Sequence, residues 1–164
     1  MSNGSFPSED RDRIEIEIVY PHPVARVWHA LTDAEALARW LMPNDFAPRL
    51  GHHFTFRAEG EWTGTIACEV VALEPPTRVA YTWASGPLWP PTLVTWMLAS
   101  EGEGEGEGEG TRLRLVHSGF AACGPTGLTV RDILASGWDS KVLREKLPAL
   151  LDALAAEVAG GRSR

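Results

Sequence analysis

The sequence predicts an α+β fold in which a curved, six-stranded antiparallel sheet wraps around one long C-terminal helix, with two short helices after the first strand. Three observations carry this. Five segments between Gly51 and His117 alternate apolar and polar side chains with the period of two that marks a half-buried strand, and short links join them. From about Thr126 to Ala159 the apolar residues recur at helical spacing instead. Finally, 164 residues, 44% hydrophobic and 23% charged, suit one globular domain with one core.

The first strand is Ile14 to Tyr20, with Ile14, Ile16 and Ile18 on one face. Helical spacing follows from Val24 to Trp40, where Val24, Val27, Trp28 and Leu31 form one stripe and Leu37 and Trp40 a second. Thr32 and Asp33 break the two, Asp33 being a good N-cap. Trp28 and Leu31 lie on the one apolar stripe of their helix and are assigned to packing.

Phe54 and Phe56 share a face of the second strand, Gly51 to Arg57, and Glu59-Gly60 is a turn. The third strand places Trp62, Gly64, Ile66, Cys68, Val70 and Ala72 inside, although Val71 and Leu73 make its outer face less than uniformly polar. After Pro75-Pro76, the fourth strand lines Val79, Tyr81 and Trp83 on one side. In the fifth, Thr92 to Ser100, the set Val94, Trp96 and Leu98 is preferred for the inside over Leu93, Thr95 and Met97. The sixth, Thr111 to His117, points Leu113 and Leu115 in and Arg112 and Arg114 out. In the C-terminal helix Val130, Leu134 and Trp138 recur four apart and Leu143, Leu147, Leu150, Leu151 and Leu154 continue the stripe, with Pro148 expected to kink or split it after Leu147. Gly137, beside Trp138, marks either a close approach of helix to sheet or room for a ligand.

Domain limits follow. Residues 1–13 and 160–164 are expected to be disordered tails, and residues 14–159 one domain with a flexible Glu-Gly loop at 101–110. That loop holds five Glu of a chain with net charge −7, so the body is nearly balanced. No basic cluster is available for nucleic acid or an anionic membrane. The N-terminal residues lack a signal-like apolar region, and a cytoplasmic location is the expectation. Cys68 and Cys123 have no metal-ligand spacing. His52 and His53 are adjacent on a strand and point to opposite faces, which argues against one shared ion. No cofactor is expected, and there is no GxSxG, P-loop, HExxH or CxxC.

The segments VARVWHALTDAEALARW (24–40), LGHHF (50–54), the Pro75-Pro76 turn before VAYTW (79–83), GTRLRLVHSGF (110–120) and GWDSKVLREKL (137–147) occur in that order. Together they resemble the START-like, helix-grip (SRPBCC) superfamily, and within it the family of the C-terminal domain of the heat-shock protein 90 ATPase activator. The Glu-Gly expansion and the Pro-rich loop Gly86–Pro91 depart from the pattern. The resemblance implies a fold that in many relatives encloses a hydrophobic cavity for lipids, polyketides or other apolar small molecules.

Parity and helical spacing nominate the lining: Trp40, Phe54, Phe56, Trp62, Ile66, Tyr81, Trp83, Trp96, His117, Phe120, Leu134 and Trp138. The expected function is non-catalytic binding of an apolar or aromatic small molecule there, with the same residues serving as plain core as the alternative. His117 either orients a ligand or acts as an acid/base group, or else is a core histidine bonded to backbone. A cyclase- or dehydratase-like enzyme would need Tyr81 and His117 to converge on a common position. A chaperone-associated interaction module is the third class, with Leu88 and Trp89 as a candidate lid, homodimer contact or partner site.

Overall fold

The computed structural model describes residues 12–58, 64–85, 88–101 and 110–162. The chain runs β1 (Arg13–Tyr20), α1 (Val24–Thr32), α2 (Ala34–Trp40), β2 (His53–Ala58), β3 (Gly64–Glu74), β4 (Arg78–Ser85), β5 (Leu88–Glu101) and β6 (Gly110–Ser118). A 3-10 turn at Ala121–Cys123 then leads into α3 (Gly124–Ser136), a π-helix (Gly137–Lys146) and α4 (Leu147–Arg162). The six strands form one antiparallel sheet in the order β1-β6-β5-β4-β3-β2, and the C-terminal helix lies in its grip. Helical backbone continues through Arg162, three residues beyond the domain end expected from the sequence. Residues 102–109 of the Glu-Gly loop, residues 1–11, Trp62 and the side chains of Leu88 and Trp89 lie outside what is described.

Strand parity follows the sequence. One rung crosses five strands through Val70, Tyr81, Val94, His117 and Ile14, and all five are buried. Cross-strand neighbours point the same way, so this rung faces the helix. Val94, Trp96 and Leu98 are the buried set of β5. In β3, a register shift between Val70 and Ala72 leaves Val71 exposed and brings Leu73 opposite the buried Val79. A bulge inverts the parity beyond it, which is why Leu73 packs on the core from a nominally outer position.

Asp33 caps α2 as expected, accepting a hydrogen bond from the Ala36 N–H at 3.0 Å. On the outer face Arg112 pairs with Glu17 and Glu101, and Arg114 with Glu15, tying β1, β5 and β6 together. The tight position of the C-terminal helix is Gly127, against its own lead-in turn: a Cβ there would fall 2.4 Å from Cys123 Cβ and 2.6 Å from the Phe120 carbonyl oxygen. At Gly137 a Cβ would meet nothing within 4 Å, so the expected close approach does not occur there.

The C-terminal rod does not split at Pro148, where a kink or break was expected; it changes hydrogen-bond register. Helical dihedrals persist at Leu147 (φ −67°, ψ −44°), and the Leu147 N–H bonds to Val142 O, five residues back. In that register the next N–H would reach Leu143 O, but residue 148 is proline and has none. The hydroxyl of Tyr20, at the end of β1, takes the vacancy and donates to Leu143 O at 2.6 Å. The apolar stripe explains why the register is used at all. From Val130 to Leu147 its steps are four residues except between Trp138 and Leu143, where the step is five. An α-helix at 3.6 residues per turn would carry Leu143 about 140° around from Trp138. The wider i→i+5 turn keeps both inward, and both are buried. Asp139 and Arg144, also five apart, pair at 2.7 Å on the exposed side.

Tyr20→Phe should therefore lower stability by about 1–3 kcal/mol, because it strips the partner from a buried carbonyl. The loss should shrink by about 1 kcal/mol in a Pro148→Ala background, where residue 148 regains an N–H able to reach Leu143 O. Urea unfolding of the four proteins in the cycle measures this coupling; strict additivity would show that Pro148 and Tyr20 do not serve the same carbonyl.

Candidate functional site

Between the sheet and the C-terminal helix the aromatic residues meet in edge-to-face and tilted pairs. Trp83 lies 5.6 Å from Trp138 and 5.4 Å from His117, centroid to centroid. Trp96 lies 5.5 Å from Trp138 and 5.9 Å from Trp40, both near perpendicular. Phe120 closes on His117 at 4.6 Å, and Phe54, Phe56 and Tyr81 extend the group toward β2. These separations and angles are the favourable arrangements of aromatic quadrupoles. Of the twelve nominated residues, Trp40, Phe54, Phe56, Ile66, Tyr81, Trp83, Trp96, His117, Phe120 and Trp138 are buried. Leu134 is half-buried against the core, and Trp62 is among the residues not described.

The polar tips of Trp40, Tyr81, Trp96, His117 and Trp138 have partners. The Trp40 indole N–H donates to Ala30 O at 2.8 Å, which satisfies a carbonyl at the end of α1 and commits Trp40 to holding α1 and α2 together. Trp96 Nε1–H donates to the Tyr81 hydroxyl at 2.9 Å. His117 is fully buried, and its bonds run to side chains rather than to backbone. Trp138 Nε1–H donates to Nδ1 at 3.2 Å. An indole only donates, so Nδ1 carries the lone pair and Nε2 the proton. Nε2–H then donates to Thr92 Oγ at 2.8 Å, and the Thr92 hydroxyl donates to Trp83 O at 2.9 Å. The chain Trp138, His117, Thr92, Trp83 thus has one consistent direction.

Electrostatics agree with a neutral ring. Burial alone pushes the His117 pKa down from 6.5 to about 3, because nothing nearby compensates a desolvated imidazolium. Burial likewise pushes the Tyr81 hydroxyl far above its ordinary range. Both groups are neutral near pH 7. Their polar tips are engaged by different partners, Trp96 for Tyr81 and Thr92 with Trp138 for His117. The convergence an acid/base pair requires is therefore not how these bonds are arranged.

Outside the interior, His52, just before β2, lies against Asp45 O and Arg49 while His53 faces Glu69, so the two rings have different partners. Among the described residues no group of three or more His, Cys, Asp or Glu is placed to hold a metal ion. Cys68 is buried and Cys123 half-buried, and neither forms a disulfide. No helix of the described residues is long and apolar enough to cross a membrane.

The comparisons with known proteins fit this geometry. The model of the family described as "Activator of Hsp90 ATPase homolog 1-like protein" matches residues 21–158, most of the chain. The chain belongs to that family. It is similar to the crystal structure of MLL2253 from Mesorhizobium loti, at 33% identity over 86% of this chain and 97% of that one, with a TM-score of 0.71. The solution structure of BH1534 from Bacillus halodurans is similar at 27% identity, covering 85% of this chain and 96% of that one, with a TM-score of 0.67. DynU16, a protein in the dynemicin biosynthetic locus, is 26% identical, with a TM-score of 0.66; the match covers 86% of this chain and 47% of that one. A search of curated proteins finds no match. The fold of this family carries a non-catalytic ligand-binding cavity between sheet and C-terminal helix. In this chain the Trp83–Trp138 cluster sits at that place.

Sequence parity found the aromatic rings but not three of the groups that organise them. Thr92 shares parity with Val94 and Trp96, and a threonine on an inward face opposite a tryptophan was the available signal. Tyr20 shares the inward parity of Ile14, Ile16 and Ile18. The π-helix was legible only as the five-residue step in the stripe.

A pH prediction follows from His117. In the unfolded chain its imidazole takes a proton near pH 6.5, and in the folded protein only near pH 3. Between these values the unfolded state holds more protons, so stability falls as pH falls, by up to ~1.4 kcal/mol per pH unit from this residue. Urea midpoints measured from pH 7 to pH 4.5 should decline more steeply for the native sequence than for His117→Gln. Parallel slopes would mean that His117 titrates alike in both states.

Proposed function

We propose that the protein binds an apolar, ring-containing small molecule non-covalently within the aromatic interior, with Trp83, Trp96, Tyr81, His117 and Phe120 as its main contacts and Trp138 as the wall beside it. The observation that carries this is the way Trp138 is mounted. It stands on a ten-residue π-helix, a register that elsewhere occurs mostly as single turns and often at functional sites. The helix before it, α3, has Gly127 as its buried residue, and its Ile133 is 46% exposed. By contrast α4 is fixed by the buried Leu147, Leu150 and Leu151, by Arg39 with Glu157, and by His22 with Asp152. The wall nearest Trp138 is thus the lightly held part of the molecule, which is where a ligand would enter.

Small-molecule binding is preferred over chaperone docking because the rings face inward, whereas the exposed outer face of β1 and β6 is occupied by mutually paired charges. That DynU16 belongs to a biosynthetic locus supports a small-molecule role in a related fold.

Native mass spectrometry of the full chain purified from cells, compared with a denatured sample, tests the reading. An apolar adduct should be present on the native sequence and lost from Trp83→Ala. A protein that carries no adduct, and that takes up no hydrophobic compound when challenged, would contradict it.

A further inference from the structure

We infer that Trp138 is the resting occupant of a polar subsite, so that the ligand which displaces it must bring a hydrogen-bond donor, such as a phenolic hydroxyl or ring N–H, to Nδ1 of His117. The inference rests on the binding function proposed above and specifies its ligand chemistry.

The argument begins with the acceptor. His117 is completely buried, Nε2–H is committed to Thr92, and Thr92 is committed in turn to Trp83 O. The imidazole cannot change tautomer without turning the Thr92 hydroxyl onto Nε2 and away from Trp83 O, so in the resting network Nδ1 presents a lone pair to whatever faces it. Trp138 Nε1 faces it now, at 3.2 Å, the longest link in the chain. If an apolar ligand pushed the indole aside, Nδ1 would be left unpaired out of reach of water, and binding would be weakened accordingly. A ligand with its own donor avoids that loss. The site thereby discriminates by a missing bond, the strongest discrimination a small pocket offers.

The mounting of Trp138 makes the exchange feasible. In the π register each N–H reaches five residues back, as Leu147 does to Val142 O. If Trp138 swings out, the five-residue step to Leu143 is no longer needed, and each N–H can turn to the carbonyl four residues back. The segment then keeps its backbone bonds while the indole leaves. Open space beside Gly137, where a Cβ would touch nothing within 4 Å, gives the hinge room to move.

Two probes of nearly equal shape make the test: 2-naphthol, which carries a donor, and 2-methoxynaphthalene, which does not. Titrations of the full chain followed by 1H–15N NMR report both affinity and the Trp138 indole signal. The inference predicts that 2-naphthol binds about tenfold or more tightly than the methyl ether and shifts the Trp138 indole resonance. Trp138→Phe keeps a ring but frees Nδ1, and should tighten 2-naphthol by about tenfold while changing the ether by less than about twofold. Equal affinities for the two probes, or a Trp138 resonance that stays put while either binds, would overturn the inference and leave the binding function standing. Binding of neither would overturn both. The comparison on the native sequence decides the matter even if the variant does not fold.

Discussion

The indole of Trp138 and the imidazole of His117 meet where water does not reach, and much of the molecule is arranged around that contact. A buried donor and a buried acceptor each cost about 1–3 kcal/mol if left alone, so each must be delivered to the other. Strand parity delivers His117, because β6 points Leu113, Leu115 and His117 to one side. The C-terminal helix delivers Trp138, but only by abandoning the α register for ten residues. The same departure leaves Leu143 O without a backbone partner at Pro148, and Tyr20 supplies one from β1. A single interior contact thus has consequences at the other end of the edge strand β1, beside β6.

The two halves of the C-terminal rod are held very differently, and this asymmetry is what connects packing to function. On one side of the π segment, leucines, the Arg39–Glu157 ion pair and the His22–Asp152 hydrogen bond fix α4 to α1, α2 and the β1–α1 link. On the other, α3 packs at Gly127 on its own lead-in turn, where no larger residue fits, and is tied to β1 by Arg131 reaching Arg13 O. Regions with few buried apolar contacts open first. The lightly held half ends at Trp138, so local opening would expose the aromatic interior before the rest of the core is disturbed.

Most of the fold was legible in the sequence because strands and helices write their periods into it. The inward sets of β1, β2, β4, β5 and β6 are those the alternation indicates, down to Trp96 over Met97 in β5. What period reading misses is a local change of period. The bulge at Val71 turned Leu73 inward, and the π-helix kept Leu143 inward after a five-residue step. Both look like noise when a fixed repeat is assumed. In the site, burial of the nominated rings agreed with their parity, whereas their bonding did not follow from it. His117 was weighed as a backbone-bonded histidine or a ligand-facing one, and it is bonded to the side chains of Thr92 and Trp138. Only register between β5, β6 and the helix, which no single segment contains, brings those three together.

The protonation of His117 is the most direct test of this account. Long-range 1H–15N NMR correlations of its imidazole should show a neutral ring with the proton on Nε2 and a bare, hydrogen-bonded Nδ1, unchanged from pH 7 to pH 5. A proton on Nδ1, or a ring that titrates in that range, would contradict the account, since Trp138 would then have no acceptor to hold it inside.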